Sequence, residues 1–368
     1  MGCEREQECG GQYGPFMWPA KQGSRIIAAP VARMLNRGRS LRRAAVLLVV
    51  GALLAAFVVS TSGLPPPSQN PPGTFAFGAF GDAPYYPWED WRYPQVLRDI
   101  DAHDLAFSIH IGDIFWRPCS DDRYERSLRW FNGLRRPLIY VPGDNEWADC
   151  WTEQEGGFNP RERLAHLRRT LYPRRAVSLG GQPLPLETQS AGPEFSEFAE
   201  HARWWHDGLV FATIHVVGSG NFTRPFPSRT DADDKESERR LAAALAWLHE
   251  TFAQATAQSA TAVIVSFHAD PGFDGPPARQ RPFKPLLEAL EDEAVAFNKP
   301  VLLIHGDSHE FTIDHPLKAR ATGQAIPNLT RLEVPGSPLV GWVRVVVTPG
   351  ATPTFAFEER LVPRWKYW

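Results

Sequence analysis

Four times along the chain, an apolar run of strand character leads into a Gly-Asp pair. Phe75 to Phe80 runs into Gly81-Asp82, and Leu105 to Ile111 into Gly112-Asp113. Pro137 to Val141 leads to Gly143-Asp144, and Val301 to Ile304 to His305-Gly306-Asp307. In open α/β sheets, ligands bind off the carboxyl ends of the strands. Glycine there lets the backbone turn sharply and lets a ligand come close. Carboxylates at adjacent strand ends therefore converge, and four together repel one another unless cations join them. His268, directly after the apolar run Thr261 to Phe267, and His309, two residues past Asp307, add imidazole nitrogens at the same edge. A single Gly-Asp reads better as a turn or cap. The set of four, with two histidines, points to a site for divalent metal ions.

Between these runs lie segments of helical spacing: Trp91 to Asp104, Asp122 to Arg136, Asp233 to about Ala257, and Glu288 to Phe297. In the third, Leu241, Leu245, Leu248 and Phe252 share one face. Leu209 to Val217, Val340 to Val347 and Phe355 to Phe357 read as further strands. Strands alternating with helices predict a layered α/β architecture, and residues 74–368 contain no repeat or second linker.

The N-terminal part reads as targeting. Ala44 to Ser62 carries no charge and follows Arg37, Arg39, Arg42 and Arg43, the pattern of a signal peptide or a membrane anchor. Residues 63–73 form a Pro-rich linker. Within the basic region 1–43, Met34 opens a conventional signal (MLNRGRSLRR), so residues 1–33 read as a misassigned start. The domain is expected outside the cytoplasm, periplasmic or extracellular, or held at the membrane if the apolar run is uncleaved. Cys119 and Cys150 are the only cysteines after this segment, and an even count in an exported domain favours a disulfide. Each lies six residues past a strand-end aspartate, Asp113 or Asp144, so neighbouring strands would place the two loops side by side. A net charge of -3 excludes the strongly basic surface of most nucleic-acid-binding domains.

In order and spacing, these motifs resemble the calcineurin-like metallophosphoesterases across Thr74 to Phe357. That family carries Asp-x-His, Gly-Asp-x-x-Asp, Gly-Asn-His-Asp/Glu, a lone His and Gly-His-x-His. The counterparts here are Gly81-Asp82-Ala-Pro84, Gly112-Asp113-Ile-Phe-Trp116, Gly143-Asp144-Asn145-Glu146, His268 and Gly306-Asp307-Ser-His309. Gly-Asp-Asn-Glu-Trp and His-Gly-Asp-Ser-His look like a little-characterised branch of the superfamily.

The resemblance implies a four-layer α/β/β/α sandwich of two mixed sheets and two divalent ions, Mn, Fe, Zn or Mg, bridged by an aspartate and a hydroxide. It implies hydrolysis of a small-molecule phosphate ester. Asp82 and His309 would hold the first metal, Asp113 would bridge, and Asp144, His268 and Asp307 would serve the second. Asn145 stands where the family's histidine assists the leaving group, and Pro84 replaces a histidine ligand.

Four carboxylates and a hydroxide leave two divalent ions one negative charge, where the family's two aspartates leave one positive. At about 5 Å and an effective dielectric near 20, each extra charge costs an anionic substrate about 3 kcal/mol. Several remedies stand open. A trivalent ion is one, and Asp144 or Asp307 standing back from the metal is another. Asn145 could replace Asp144 as ligand, or Arg117, Arg123 or Arg224 could compensate. His110 and His215 read as structural, and His305 and Asn221 are open between structural and site roles. Tyr85 and Tyr86 are assigned no role. The alternative function is a catalytically degenerate fold that acts as an extracytoplasmic binding module.

Overall fold

The computed structural model describes residues 68–273 and 275–363, and the expectations for residues 1–67 lie outside them. Among the described residues, no helix is long and apolar enough to cross a membrane.

The chain begins with β1 (Phe75–Phe80), whose six residues are all buried. Their alternation sends Phe75, Phe77 and Ala79 to one core and Ala76 and Phe80 to another. A strand covered on both faces reads as a continuous apolar run instead of an alternating one, which is how it appears in the sequence. β2 (Ser108–His110) and β3 (Leu138–Tyr140) follow in parallel, with Gly78 opposite Ser108 and His110 opposite Tyr140. β11 (Gly341–Val347) and β12 (Phe355–Leu361) return antiparallel beside β1, giving a first sheet of order β12-β11-β1-β2-β3.

The second sheet contains β4 (Glu187–Thr188), β5 (Ala202–His206), β6 (Leu209–Thr213), β7 (Val263–Ser266), β8 (Val301–His305), β9 (Thr312–Asp314) and β10 (Leu329–Glu333). Its order is β4-β5-β6-β7-β8-β10-β9, with β6, β7, β8 and β10 mutually parallel.

Three apolar layers join these sheets to the helices. Phe77, Ile109, Ile139 and Val343 of the first sheet meet Phe211, Ile264, Leu302 and Leu332 of the second. α1 (Tyr93–Ala102), α2 (Asp121–Asn132) and α3 (Pro160–Leu171) pack Val96, Phe131 and Leu167 on the outer face of the first sheet. α4 (Asp231–Ala257) and α5 (Lys284–Phe297) pack Leu248, Phe252 and Leu290 on the outer face of the second. The result is the expected α/β/β/α sandwich of two mixed sheets.

Several boundaries differ from the sequence reading. The expected helix 91–104 begins only at Tyr93, after a separate turn at Pro87–Asp90. The run 105–111 pairs only over Ser108–His110, and 209–217 only to Thr213, because the chain leaves the sheet toward the site. The buried stripe of α4 is Ala244, Trp247, Leu248, Thr251, Phe252 and Ala255, while Leu241 and Leu245 are half-buried. Helix α3 and strands β4, β5, β9 and β10 have no counterpart in that reading. α3 carried a start signal in Asn159-Pro160, and the Asn159 side chain accepts the Glu162 N–H at 3.2 Å.

Candidate metal centre

β1, β2 and β3 are parallel neighbours, so Asp82, Asp113 and Asp144 leave one edge. β7 and β8 bring His268 and Asp307 to the facing edge. The two edges meet: His268 Nε2 lies 3.0 Å from Asp144 Oδ1 and 3.4 Å from Asp113 Oδ1. Two groups offer ligand atoms all within 4.8 Å of one another: Asp82, Asp113 and His268, and Asp144, His268 and Asp307. His309 stands slightly apart, its Nε2 3.9 Å from Asp82 Oδ1.

The glycines are what make the convergence possible. A Cβ on Gly143 would collide with the Asp113 carboxylate, and one on Gly306 with the Asp82 carboxylate. The aspartates in turn adopt left-handed backbone, with φ of 50° at Asp82, 56° at Asp113 and 75° at Asp307, and His309 follows at 67°. L-residues reach this region at a cost of about 1–2 kcal/mol each, and such strain collects at functional sites. A further left-handed turn, Ser219 to Asn221, lies beside the cluster, and a Cβ on the preceding Gly218 would press on Asp144 and Asp307.

The strained loops are held by hydrogen bonds. The Glu146 carboxylate, fully buried, accepts the N–H of Asp113 at 3.1 Å, the N–H of Gly143 at 2.8 Å and the Tyr140 hydroxyl at 2.5 Å. Asp307 donates its N–H to Asp82 Oδ1 at 3.2 Å, and Asp270 its N–H to Asp307 Oδ2 at 3.0 Å. Asn145 grips Asp113 twice, through its main-chain N–H to Oδ1 at 3.1 Å and its amide to Oδ2 at 2.7 Å. Asp144 is turned inward toward His268, and Asn145 is occupied with Asp113.

Three observations show that these residues suit a cation. Asp82 Oδ2 is buried with no hydrogen-bond partner. His268 Nδ1 lies 2.7 Å from the Ile111 carbonyl and His309 Nδ1 2.7 Å from the Ser337 carbonyl. Donation from Nδ1 to these carbonyls orients each ring and leaves Nε2 facing the cluster, where it would ligate a cation on losing its proton. The electrostatics agree. Burial, reinforced by Asp307 and opposed by His268, pushes the Asp82 carboxyl up to about 8. Burial and the charge of Asp144 push Asp307 up to about 6. Burial also raises Asp113 well above the carboxylate range. Burial depresses His268, but Asp113, Asp144 and Asp82 together outweigh it and hold the ring well above the usual imidazole range. Carboxylates that resist ionisation this strongly are ones a cation would relieve.

The remaining candidates separate. His110 is buried 3.0 Å from the Tyr93 hydroxyl, and His215 pairs with Glu200 at 2.9 Å. Asn221 anchors Arg240, and His305 stacks on Phe267 with Nε2 unpartnered. Arg117 lies over Trp116 at 3.8 Å. Pro84 is buried and offers no donor. Tyr85, given no role from sequence, donates its hydroxyl to Asp113 Oδ2 and lies 3.3 Å from His309 Nε2. Only its position three residues past Asp82 hinted at this. Cys119 and Cys150 form the expected disulfide, with Cα atoms 5.8 Å apart.

A search of protein-family models returns no match, and neither does a search of curated proteins. Among solved structures, PhoD matches with 12% identity over 80% of this chain and 70% of its own, at a TM-score of 0.45. TT1561 of Thermus thermophilus matches with 13% identity over 78% of this chain and 99% of its own, at a TM-score of 0.39. Both scores are too low to carry chemistry across, so the site speaks through its own residues: a buried Asp/His cluster, built from two sheets, that suits metal binding.

Proposed function

We propose that the chain is a metal-dependent phosphoesterase acting on a small-molecule phosphate ester. The observation that carries this is the pair of overlapping ligand groups joined at His268. Asp82 and His309 would hold one divalent cation, and Asp144, His268 and Asp307 a second, with Asp113 between them. His268 has only Nε2 to offer, since Nδ1 is engaged by Ile111, so it serves one cation. Bound there, two divalent ions would acidify a water and neutralise phosphoryl oxygens.

The protein's own part is positioning. Glu146 holds the main-chain N–H of Asp113 and Asn145 its carboxylate, Tyr85 donates to its Oδ2, and the main-chain carbonyls of Ile111 and Ser337 aim the two imidazoles. Asn145 stands where the family has its leaving-group histidine, and its amide is spent on Asp113. That observation favours the binding module as the second reading.

Metal analysis of chelator-free protein, with phosphate release from 4-nitrophenyl phosphate in Mn, Fe, Zn or Mg, separates the two. Two equivalents of metal and turnover are expected. Asp113→Ala and His268→Ala should lower both. A folded protein that takes up no more than one metal and releases no phosphate with any of the four would leave the binding module.

A further inference from the structure

Beside the metal cluster lies a cavity of about 230 Å³ whose lining includes Trp116, Asn145, Asp149, Trp151, Glu155 and Arg224. It adjoins the cluster directly, since the Asn145 amide that borders it also holds Asp113. Its two indoles are fixed from behind. Arg117 covers one face of Trp116 at 3.8 Å, and Tyr86 meets the same ring edge-on at 5.3 Å. Trp151 stacks on Phe226, with centroids 5.4 Å apart and planes 17° from parallel. Both tryptophans remain half-exposed. Rigid indole faces are good stacking partners for rings.

The second observation is Glu155. It is only 7% exposed, and its Oε2 is buried with no hydrogen-bond partner. Its backbone is pinned, with the N–H donated to the Thr152 carbonyl at 3.1 Å and the carbonyl accepting the Cys119 N–H at 2.9 Å. A buried carboxylate oxygen left unsatisfied is unfavourable; burial pushes the Glu155 carboxyl up to about 7, and at a cavity wall a donor on a bound molecule would satisfy the ionised form. Arg224, exposed at the cavity, adds a cation near Asp149. A cavity of about 230 Å³ has room for one ring system with its substituents.

We propose that this cavity receives the alcohol portion of the phosphate ester, and that this portion is a ring with hydrogen-bond donors around its edge. A nucleoside and a pyranose both offer this chemistry. The ring lies against Trp116 and Trp151, and an edge donor satisfies Glu155. The assignment of the ring to a substrate rests on the phosphoesterase reading, but the binding itself does not require metal or phosphate.

The test therefore uses the full-length, metal-free protein and the free alcohols adenosine, glucose and glycerol, followed by saturation-transfer NMR and calorimetry. At least one ring alcohol should bind more tightly than glycerol. A preference for adenosine names a nucleotide as the substrate source, and one for glucose a sugar phosphate. Trp151→Ala should weaken the preferred ring between about fivefold and 150-fold, the range of ring stacking on aromatic side chains. Glu155→Gln, which keeps the shape of the wall, should weaken it at least fivefold. Trp151→Phe replaces the alanine variant if that fails to fold. Ring alcohols that bind no better than glycerol, or binding unchanged in both variants, would overturn the proposal whether or not the protein hydrolyses phosphate esters. In metal-loaded protein, the same preference should appear in KM for the phosphorylated forms, with kcat little changed in the Glu155 variant. A KM for glycerol phosphate as low as for the ring phosphate would also overturn it.

Discussion

Breaking the Cys119–Cys150 bond should loosen the metal site as well as the fold. The bridge spans 31 residues of sequence and joins the loops behind Asp113 and Asp144. In the chain-entropy model a loop of that length contributes about 3.7 kcal/mol at 25 °C. Unfolding entropy near 60 °C is about 2.1 cal/mol/K per residue, so a domain of roughly 300 residues should lose about 6 °C in Tm. Both sulfurs are buried and lie 3.3 and 3.5 Å from the Asn145 carbonyl. Asn145 is the residue that grips Asp113 through main chain and side chain, so freeing the sulfurs also frees a support of the ligands. The assay compares oxidised protein with protein reduced in denaturant and refolded under reductant. Reduction keeps both sulfur atoms, so no cavity is created. Thermal melts report stability, and metal titration at 25 °C, well below either Tm, reports the site. Metal affinity should fall in the reduced form while circular dichroism stays native. Equal Tm within about 1 °C, or equal metal affinity in the two forms, would refute the reasoning.

Two further outcomes are expected. Without metal, the folded chain keeps a proton on Asp82 up to about pH 8, whereas the unfolded chain has lost it far lower. The folded state therefore binds more protons between pH 7 and 8, and metal-free stability should fall as pH rises, by up to about 1.4 kcal/mol per unit for one proton. Metal affinity should rise over the same interval. Denaturant melts at pH 7 and 8 in chelator check the sign, and greater stability at pH 8 would contradict it. We also propose that the domain is exported: an alkaline-phosphatase-type reporter fused after residue 73 should be active outside the cytoplasm, and a stable but inactive fusion would reject this.

Local sequence determined what each strand end must carry. A run such as Phe75 to Phe80 is apolar at every position because both its faces are buried, and Gly-Asp at its end marks a tight approach of charged groups. Those requirements are written within a few residues, so the strands leading to Asp82, Asp113, Asp144, His268 and Asp307 could be read, and the cysteine count suggested the disulfide. Short edge strands such as β4 and β9 could not be read, because two or three residues leave no period to detect. The stripe of α4 was read in part: Leu248 and Phe252 are buried and Leu245 packs against the same core, while the small buried residues Ala244 and Ala255 carry too little apolar weight to stand out in the sequence.

Tertiary structure alone decided who touches whom. That His268 of the second sheet reaches both Asp113 and Asp144 of the first depends on how the two sheets pack. That Tyr85 and Asn145 converge on one oxygen of Asp113, and that Glu155 faces a cavity between two tryptophans, depends on loops from separate crossovers. Such contacts are set by the summed packing of three apolar layers, a long-range balance that no segment of the chain expresses by itself.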